Sequence, residues 1–477
     1  MNKTSLLKKA FKSALYHEKW KKHGVDVESL RGYEGLRKIP YSSADDLREA
    51  WERYPIEDII LTKNVGIWHC TSGSMGKKKW VPWTYNDYYM NMADLMKEIF
   101  DMGTEDALLR PDDIIFSIVL SAPFISGSLP YRILESTGRM GMPIEQIVMS
   151  PEYVEDSFNL LLKRQPTVII STPSLVLRMA EEIAENTPKV LKKMAKETGS
   201  KKLRIASALT KIKKIKPKRV FNKLRLGFFV AEHLDPYRKA IEDLYGIEAF
   251  DLYGFTEGFG AGVECREHDG LHFPSANCIL EIIPQSELEK EAKDPDYIPE
   301  AILLSEAEKG LVGELVVTDF KEALPLVRYR VRDLVKVVAV DECSCGQKSP
   351  RLKILGRTDD VINLGVIRFS SYIINQLLSG PFSHGSINKW EIYISRKGFK
   401  PKLTLRVEPE FIKNEEKFKK EIFNKLYSFN VFKLGFDNGL FIFDDIQFVS
   451  NLKLEIIGQG KSRKIRYDPN FLKPVKL

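Results

Sequence analysis

Thr71-Ser72-Gly73-Ser74-Met75-Gly76-Lys77-Lys78-Lys79 gathers hydroxyls, glycines and lysines into one short stretch. Glycine lets the backbone turn its N–H groups toward an anion. Hydroxyls add donors and lysines add charge, so the chemistry on offer is the holding of a polyphosphate. The stretch is not GxxxxGK[ST], which requires glycine at Thr71 and Ser or Thr at Lys78. Ser72 stands where a GxSxG elbow needs its first glycine. The competing reading is a surface turn rich in Ser, Gly and Lys.

Later segments bear on that choice. Asp251-Leu252-Tyr253-Gly254-Phe255-Thr256-Glu257 follows an apolar strand, and open α/β sheets place ligands at the carboxyl ends of strands. There Glu257 can hold Mg²⁺, Thr256 can donate to a phosphate, and Tyr253 offers a flat face to a base. Arg328-Tyr329-Arg330-Val331-Arg332-Asp333 sets a carboxylate beside arginines, suited to the two hydroxyls of a ribose or to a salt-bridged strand end. Gly356-Arg357-Thr358-Asp359-Asp360 marks a change of texture. Gly458-Gln459-Gly460-Lys461 is a glycine-flanked lysine near the C-terminus.

The elements that must carry these residues alternate. Strand-like runs Ile114–Leu120, Val168–Ile170, Leu226–Val230 and Ala249–Tyr253 are separated by helix-like stretches such as Tyr88–Phe100, Val154–Leu162, Ser174–Ala184 and Pro236–Tyr245. This order predicts parallel sheets covered by helices. Residues 1–60 read as helices, one of them capped by Ser42 or Ser43. After Leu280 short strands follow one another, and the acid- and Pro-rich insertion Gln285–Ser305 reads as a loop. Residues 357–477 alternate strands and helices in a small α+β domain. The fold class expected is α/β. A large N-terminal domain, residues 1–355, has mixed and parallel sheets between helices plus a β-rich part, and a small mobile C-terminal lid spans residues 356–477.

The 477 residues allow two or three domains, and 43% hydrophobic content is ample for a core. No run of 18 apolar residues is present, so no membrane span is expected. The first residues lack a signal-peptide core, which makes a cytoplasmic location the expectation. Five cysteines do not make a disulfide scaffold. The net charge is +8, yet residues 192–225 alone carry 14 Lys or Arg against Glu197, so the rest is net acidic. That segment is a solvated helical face or a contact for an anionic surface. No aromatics interleave with its lysines before Phe221, so nucleic acid is not expected as a partner.

Taken in order, these segments resemble the adenylate-forming superfamily, and within it the phenylacetate–CoA ligase branch. The likeness runs from about residue 30 to about residue 470. Ala231-Glu232, Thr172-Pro173-Ser174 and Cys343-Ser344-Cys345-Gly346 add to it. The resemblance implies that a carboxylic acid attacks the α-phosphate of MgATP and that the acyl-adenylate passes to coenzyme A. It implies that Thr71, Ser72, Gly73, Ser74, Gly76 and Lys77 hold pyrophosphate. Ala231, Glu232, Asp251, Tyr253 and Gly254 line the nucleotide, Thr256 binds the α-phosphate, and Glu257 binds Mg²⁺. Asp333 with Arg357 takes the ribose, Asp359 is the hinge, and Lys461 bridges carboxylate and phosphate. Cys265, His272, Cys343 and Cys345 resemble a structural zinc site of some members, with His268 as a rival to His272 and metal-free reduced cysteines as the alternative.

Ser121, Pro123, Phe124, Ser126 and Gly127, just after the strand from Ile114, are the expected acyl pocket. They fit an aryl or arylacetic acid, and equally a small amino or hydroxy acid. Met75, the three consecutive lysines and Gly365–Ser371, the stretch that normally lines the thiol tunnel, depart from the branch's pattern. The rival activities are amide or ester formation without coenzyme A, and a non-catalytic relative binding nucleotide or an anionic surface. A homodimer is compatible with either activity.

Overall fold

A computed structural model describes the chain except residues 1–2, 72–78, 91–107, 120–123, 140, 142–143, 150–157, 213–214, 232–233, 275–276, 295, 358–360, 365–366, 455, 458–460, 463, 472 and 474–477. It is a mixed α/β structure built on a 12-stranded sheet. In one half, Glu145–Met149, Ile114–Ile118, Val168–Ser171, Leu226–Phe229 and Glu248–Tyr253 pair in parallel in that spatial order. Val168–Ser171 and Leu226–Phe229 are buried at every position, as strands covered on both faces must be. Their helices include Pro173–Thr198 and Asp235–Tyr245. Thr172 caps the first of these by accepting from Leu175 N, and Pro173 occupies its first turn, where no N–H is needed.

At Tyr253 the sheet changes sense. Gly262–Glu264 runs antiparallel to Glu248–Tyr253, and Leu271–His272, Arg351–Arg357, Tyr329–Ala339, Val312–Asp319, Cys278–Pro284 and Ile302–Leu303 continue outward, all antiparallel. The N-terminal helices pack over this half. Ser43, not Ser42, caps the helix Ala44–Arg53, and Ser42 instead donates to Val327 O at 2.7 Å. The insertion expected as a loop is ordered: Gln285–Lys293 is a helix, and Ile302–Leu303 adds the edge strand. Glu287 holds it together, accepting from Tyr297 Oη at 2.7 Å and Glu300 N at 2.9 Å. Those donors and Lys290 lower its carboxyl pKa to about 2. Acid and proline in sequence hid a helix whose stability comes from these tertiary bonds.

Residues from Ile362 to Phe471 form a core of their own around Trp390, Leu403, Leu405, Phe418 and Phe432. The hairpin Gly385–Lys397 and Lys400–Ile412 carries it, with Ile442–Phe448 and Ile465–Tyr467 parallel on either side. The hairpin tip rests on the parallel half. Phe399 is buried among its helices, Lys400 pairs with Glu181 at 3.2 Å, and Arg396 lies 4.6 Å from the Tyr237 ring centre.

Candidate active site

Val65–Cys70 and Trp80–Thr84 form an antiparallel pair, and Thr71 N donates to Lys79 O at 3.0 Å. Thr71 and Lys79 are therefore the neck of the hydroxyl- and lysine-rich loop. Ser72, Gly73, Ser74, Gly76 and Lys77 lie outside the described residues. Strand alternation turns Lys79, Val81 and Trp83 inward and leaves Trp80 exposed.

Lys79 ends on Glu257, with both side chains 11% exposed, and Tyr329 Oη donates to the same Glu257 Oε1 at 3.3 Å. Burial alone would raise the Glu257 pKa, but Lys79 outweighs it and holds the carboxyl below the usual range. A hard cation sharing oxygens with a phosphate suits such a group. Lys321 donates to the Glu257 backbone carbonyl, lies 4.8 Å from the Trp83 ring centre and is paired with Asp319. Asp319 in turn accepts from Phe259 N and Leu326 N, at 3.1 and 2.8 Å. Gly258 is glycine because a Cβ there would stand 2.5 Å from an Asp319 oxygen and from Leu326.

The second carboxylate of the site is Asp333. Tyr253 Oη donates to its Oδ2 at 2.5 Å and Arg357 Nη1 to its Oδ1 at 3.0 Å. Tyr253 thus joins Asp333, which the sequence reading did not pair with it. Arg328 and Arg330 are structural: Arg328 is spent on Glu281 and Arg330 on Glu314 and Glu291. Ala231 follows the strand Leu226–Phe229 with φ at 71°, a left-handed conformation costly for a residue with a Cβ. Burial first, and then Glu264, push the Asp251 carboxyl pKa well above the usual range. Gly254 is exposed and Thr256 half-buried at the strand's end.

Of the expected acyl pocket, Phe124, Ser126 and Gly127 open the helix Ile125–Arg139, and Gly127 N donates to Phe124 O at 3.0 Å. Ser121 and Pro123 lie outside the described residues, as do Glu232 and Asp359. Lys461 belongs to a short strand opposite Ile457.

Cys265, His272, Cys343 and Cys345 converge, their ligand atoms all within 4.8 Å of one another. Tetrahedral zinc with thiolates at about 2.3 Å requires edges of about 3.8 Å. Cys265 Sγ and Cys343 Sγ are 3.9 Å apart, and Cys345 Sγ is 3.5 Å from His272 Nε2. Ser349 Oγ lies 3.1 Å from His272 Nδ1, the outer contact that orients a ligating imidazole. Burial and then Arg351 lower the His272 pKa, which favours the neutral ring a metal needs. His268 is elsewhere, with Nδ1 3.2 Å from Glu264 and Nε2 3.4 Å from Glu248. The donor set fits zinc and draws together antiparallel strands beside the line where the sheet changes sense.

No family model matches the chain. It is 28% identical to the phenylacetate-coenzyme A ligase of Pseudomonas putida over 408 residues, covering 83% of this chain and 77% of that one. The enzyme of the same name from Escherichia coli K12 is 28% identical over 410 residues, 84% and 79% of the two chains. The chain is similar in sequence to the phenylacetate-coenzyme A ligases over about four fifths of its length. Among solved structures, 2-hydroxyisobutyryl-CoA ligase in complex with 2-HIB-AMP and CoA aligns with a TM-score of 0.67 at 20% identity, covering 98% of this chain and 88% of that one. The acyl acid amido synthetase AtGH3.15 aligns at 0.53 and 16%, covering 93% and 84%. Both share the fold of this chain.

Proposed function

We propose that this chain is an ATP-dependent, AMP-forming carboxylate–coenzyme A ligase. The observation that carries the reading is the Lys79–Glu257 contact, which ties the neck of the early anion-holding loop to the strand end bearing Tyr253, Thr256 and Glu257. A triphosphate lying along that loop meets Glu257, and its ribose hydroxyls meet Asp333. The acid's carboxylate oxygen attacks the α-phosphorus, the bond to the bridging oxygen breaks, and pyrophosphate leaves. The thiol then attacks the acyl carbonyl and AMP leaves.

Catalysis of this kind is positioning and charge stabilisation. Mg²⁺, when bound through Glu257, supplies charge neutralisation at the phosphates. Thr256 donates to the α-phosphate, Arg357 orients Asp333, and Lys461 is delivered by residues 356–477 acting as a lid turning near Asp359. Coenzyme A as acceptor and an aryl or arylacetic acid as substrate rest on the activity of the curated relatives. Zinc at Cys265, His272, Cys343 and Cys345 is structural in this reading, and a cytoplasmic location belongs to the same proposal. The basic surface within residues 192–225 meets an anionic membrane face. Its helix Lys201–Ile212 exposes Lys201, Lys202 and Arg204 around Ile205, which is 61% exposed, a pattern suited to a charged lipid interface.

The deciding experiment is exchange of pyrophosphate into ATP across a panel of aryl, acyl and amino acids, followed by a free-thiol assay with coenzyme A. Acid-dependent exchange followed by thiol loss is expected. Exchange without thiol loss would replace coenzyme A by another acceptor. No exchange with any acid would reject the ligase reading.

A further inference from the structure

Arg132 lies on the helix Ile125–Arg139 and is 6% exposed. Among the described residues it pairs with no carboxylate, and its Nε has no hydrogen-bond partner. Its guanidinium stands 4.6 Å from the centre of the Tyr88 ring. A guanidinium does not shed its proton in a protein. Burial disfavours its charge without removing it. A buried ion is ordinarily paired, because desolvation is otherwise uncompensated. A buried cation with an aromatic face on one side and an open Nε is therefore a receptor for an anion that arrives.

The neighbours say where that anion comes from. Ser128, one turn earlier on the same helix face, has its Oγ 3.4 Å from His69 Nε2. The His69 ring stacks on Tyr88 at 5.9 Å and 18°, and Tyr88 Oη donates to Ser128 O at 3.3 Å. His69 is two residues before Thr71, at the mouth of the phosphate loop. The helix starts directly after Phe124, where the acyl pocket is expected. Arg132 thus lies about 12 Å of helix rise beyond Phe124, on the helix whose Ser128 and whose ring partner Tyr88 both meet His69. The reacting carboxylate belongs at the α-phosphate, where Thr256, Glu257 with its metal, and Lys461 are gathered in the ligase reading. The charge of Arg132 is left for another group.

We propose that Arg132 binds a second anionic group of the acid substrate, a carboxylate distal to the one activated. The substrate class is then a dicarboxylic acid, an aryl or arylacetic acid that carries a second carboxylate rather than a neutral tail. This rests on the ligase reading for the reaction but not for the binding. Charge-assisted pairing with a guanidinium supplies both affinity and orientation.

Pyrophosphate exchange is measured with a series of dicarboxylic acids and with the monomethyl ester of each. Wild type should favour the diacid in kcat/KM by at least about tenfold, because a site built for a polar group rejects the analogue lacking it. Arg132→Met should erase that preference through KM for the diacid, with KM for ATP within about twofold of wild type, and Arg132→Lys should restore part of it. Melting curves without ligand establish that the variants fold. An equal diacid-to-ester ratio in wild type and Arg132→Met, or a wild-type preference for the esters, overturns the proposal. Should wild type exchange with no acid at all, the ligase reading fails on its own. The rise in melting temperature on adding diacid without ATP then decides: present in wild type and lost in Arg132→Met supports the site, and no rise in wild type or an equal rise in both overturns it.

Discussion

Lys79 shows how much one side chain settles. Three consecutive lysines close the loop, and all look alike as charge. Lys79 continues the inward face of Val81 and Trp83, and so meets Glu257 in a buried pair. Removing one partner of such a pair leaves an uncompensated charge. Lys79→Met is expected to cost about 3–5 kcal/mol in urea unfolding. The double variant Lys79→Met, Glu257→Gln should recover part of that loss, which a purely catalytic lysine would not show. Lys461 is expected to act in the other way. Lys461→Ala should slow adenylation by roughly 10²–10³-fold, the loss of one preorganised donor, while thioester formation from supplied acyl-adenylate survives. Lys464 lies 5.3 Å from the Trp390 ring centre, so Lys464→Ala should leave pyrophosphate exchange near wild type. The reverse result would move the catalytic lysine by three residues.

At the level of elements, the seam between parallel and antiparallel strands concentrates two polar clusters. The Cys265, His272, Cys343 and Cys345 group joins the strand end at Glu264 to the turn after Ala339. Metal analysis should find about one zinc per chain, and Cys343→Ser should lower both zinc content and melting temperature; a metal-free wild type refutes the site. On the far side of the seam, His268 bonds Glu264 and neighbours Glu248, and these raise its pKa against burial and Arg238. A histidine with a raised folded pKa stabilises fully below its ordinary value near 6.5 and loses that contribution as pH climbs through the folded value. His268→Gln should therefore be less stable than wild type at pH 6, and the gap should close in alkaline buffer. A gap that widens with pH contradicts the assignment. Much of this level was legible in sequence, since the apolar runs at Val168 and Leu226 and the helical spacing between them are local signals. Gln285–Lys293 was not, because its order comes from Glu287 reaching Tyr297 and Glu300.

On the scale of the whole molecule, charge is divided between regions. Arg225 turns inward to Asp113 and Leu108 O, but most described basic side chains of the segment face solvent. Binding to vesicles containing anionic lipid, weakening steeply between low and high salt, is the expected behaviour. Lys201→Glu, Lys202→Glu, Arg204→Glu should abolish it without changing exchange activity. Equal binding to neutral vesicles would make the segment a solvated face only. The C-terminal unit meets the parallel half through Phe399, Lys400 and Arg396, contacts that no spacing in the sequence announces.

The sequence by itself determined the strand–helix alternation, the order of the anion-handling segments and the three cysteines of the soft-ligand set. These are properties of residue type and near-neighbour spacing. Tertiary structure alone decided that Lys79 reaches Glu257, that His272 rather than His268 joins the cysteines, that Tyr253 and Arg357 share Asp333, and that Arg132 is buried with no counter-ion among the described residues. Each of those depends on side chains brought together from distant elements, and the distance between two such elements is set by packing, not by position along the chain.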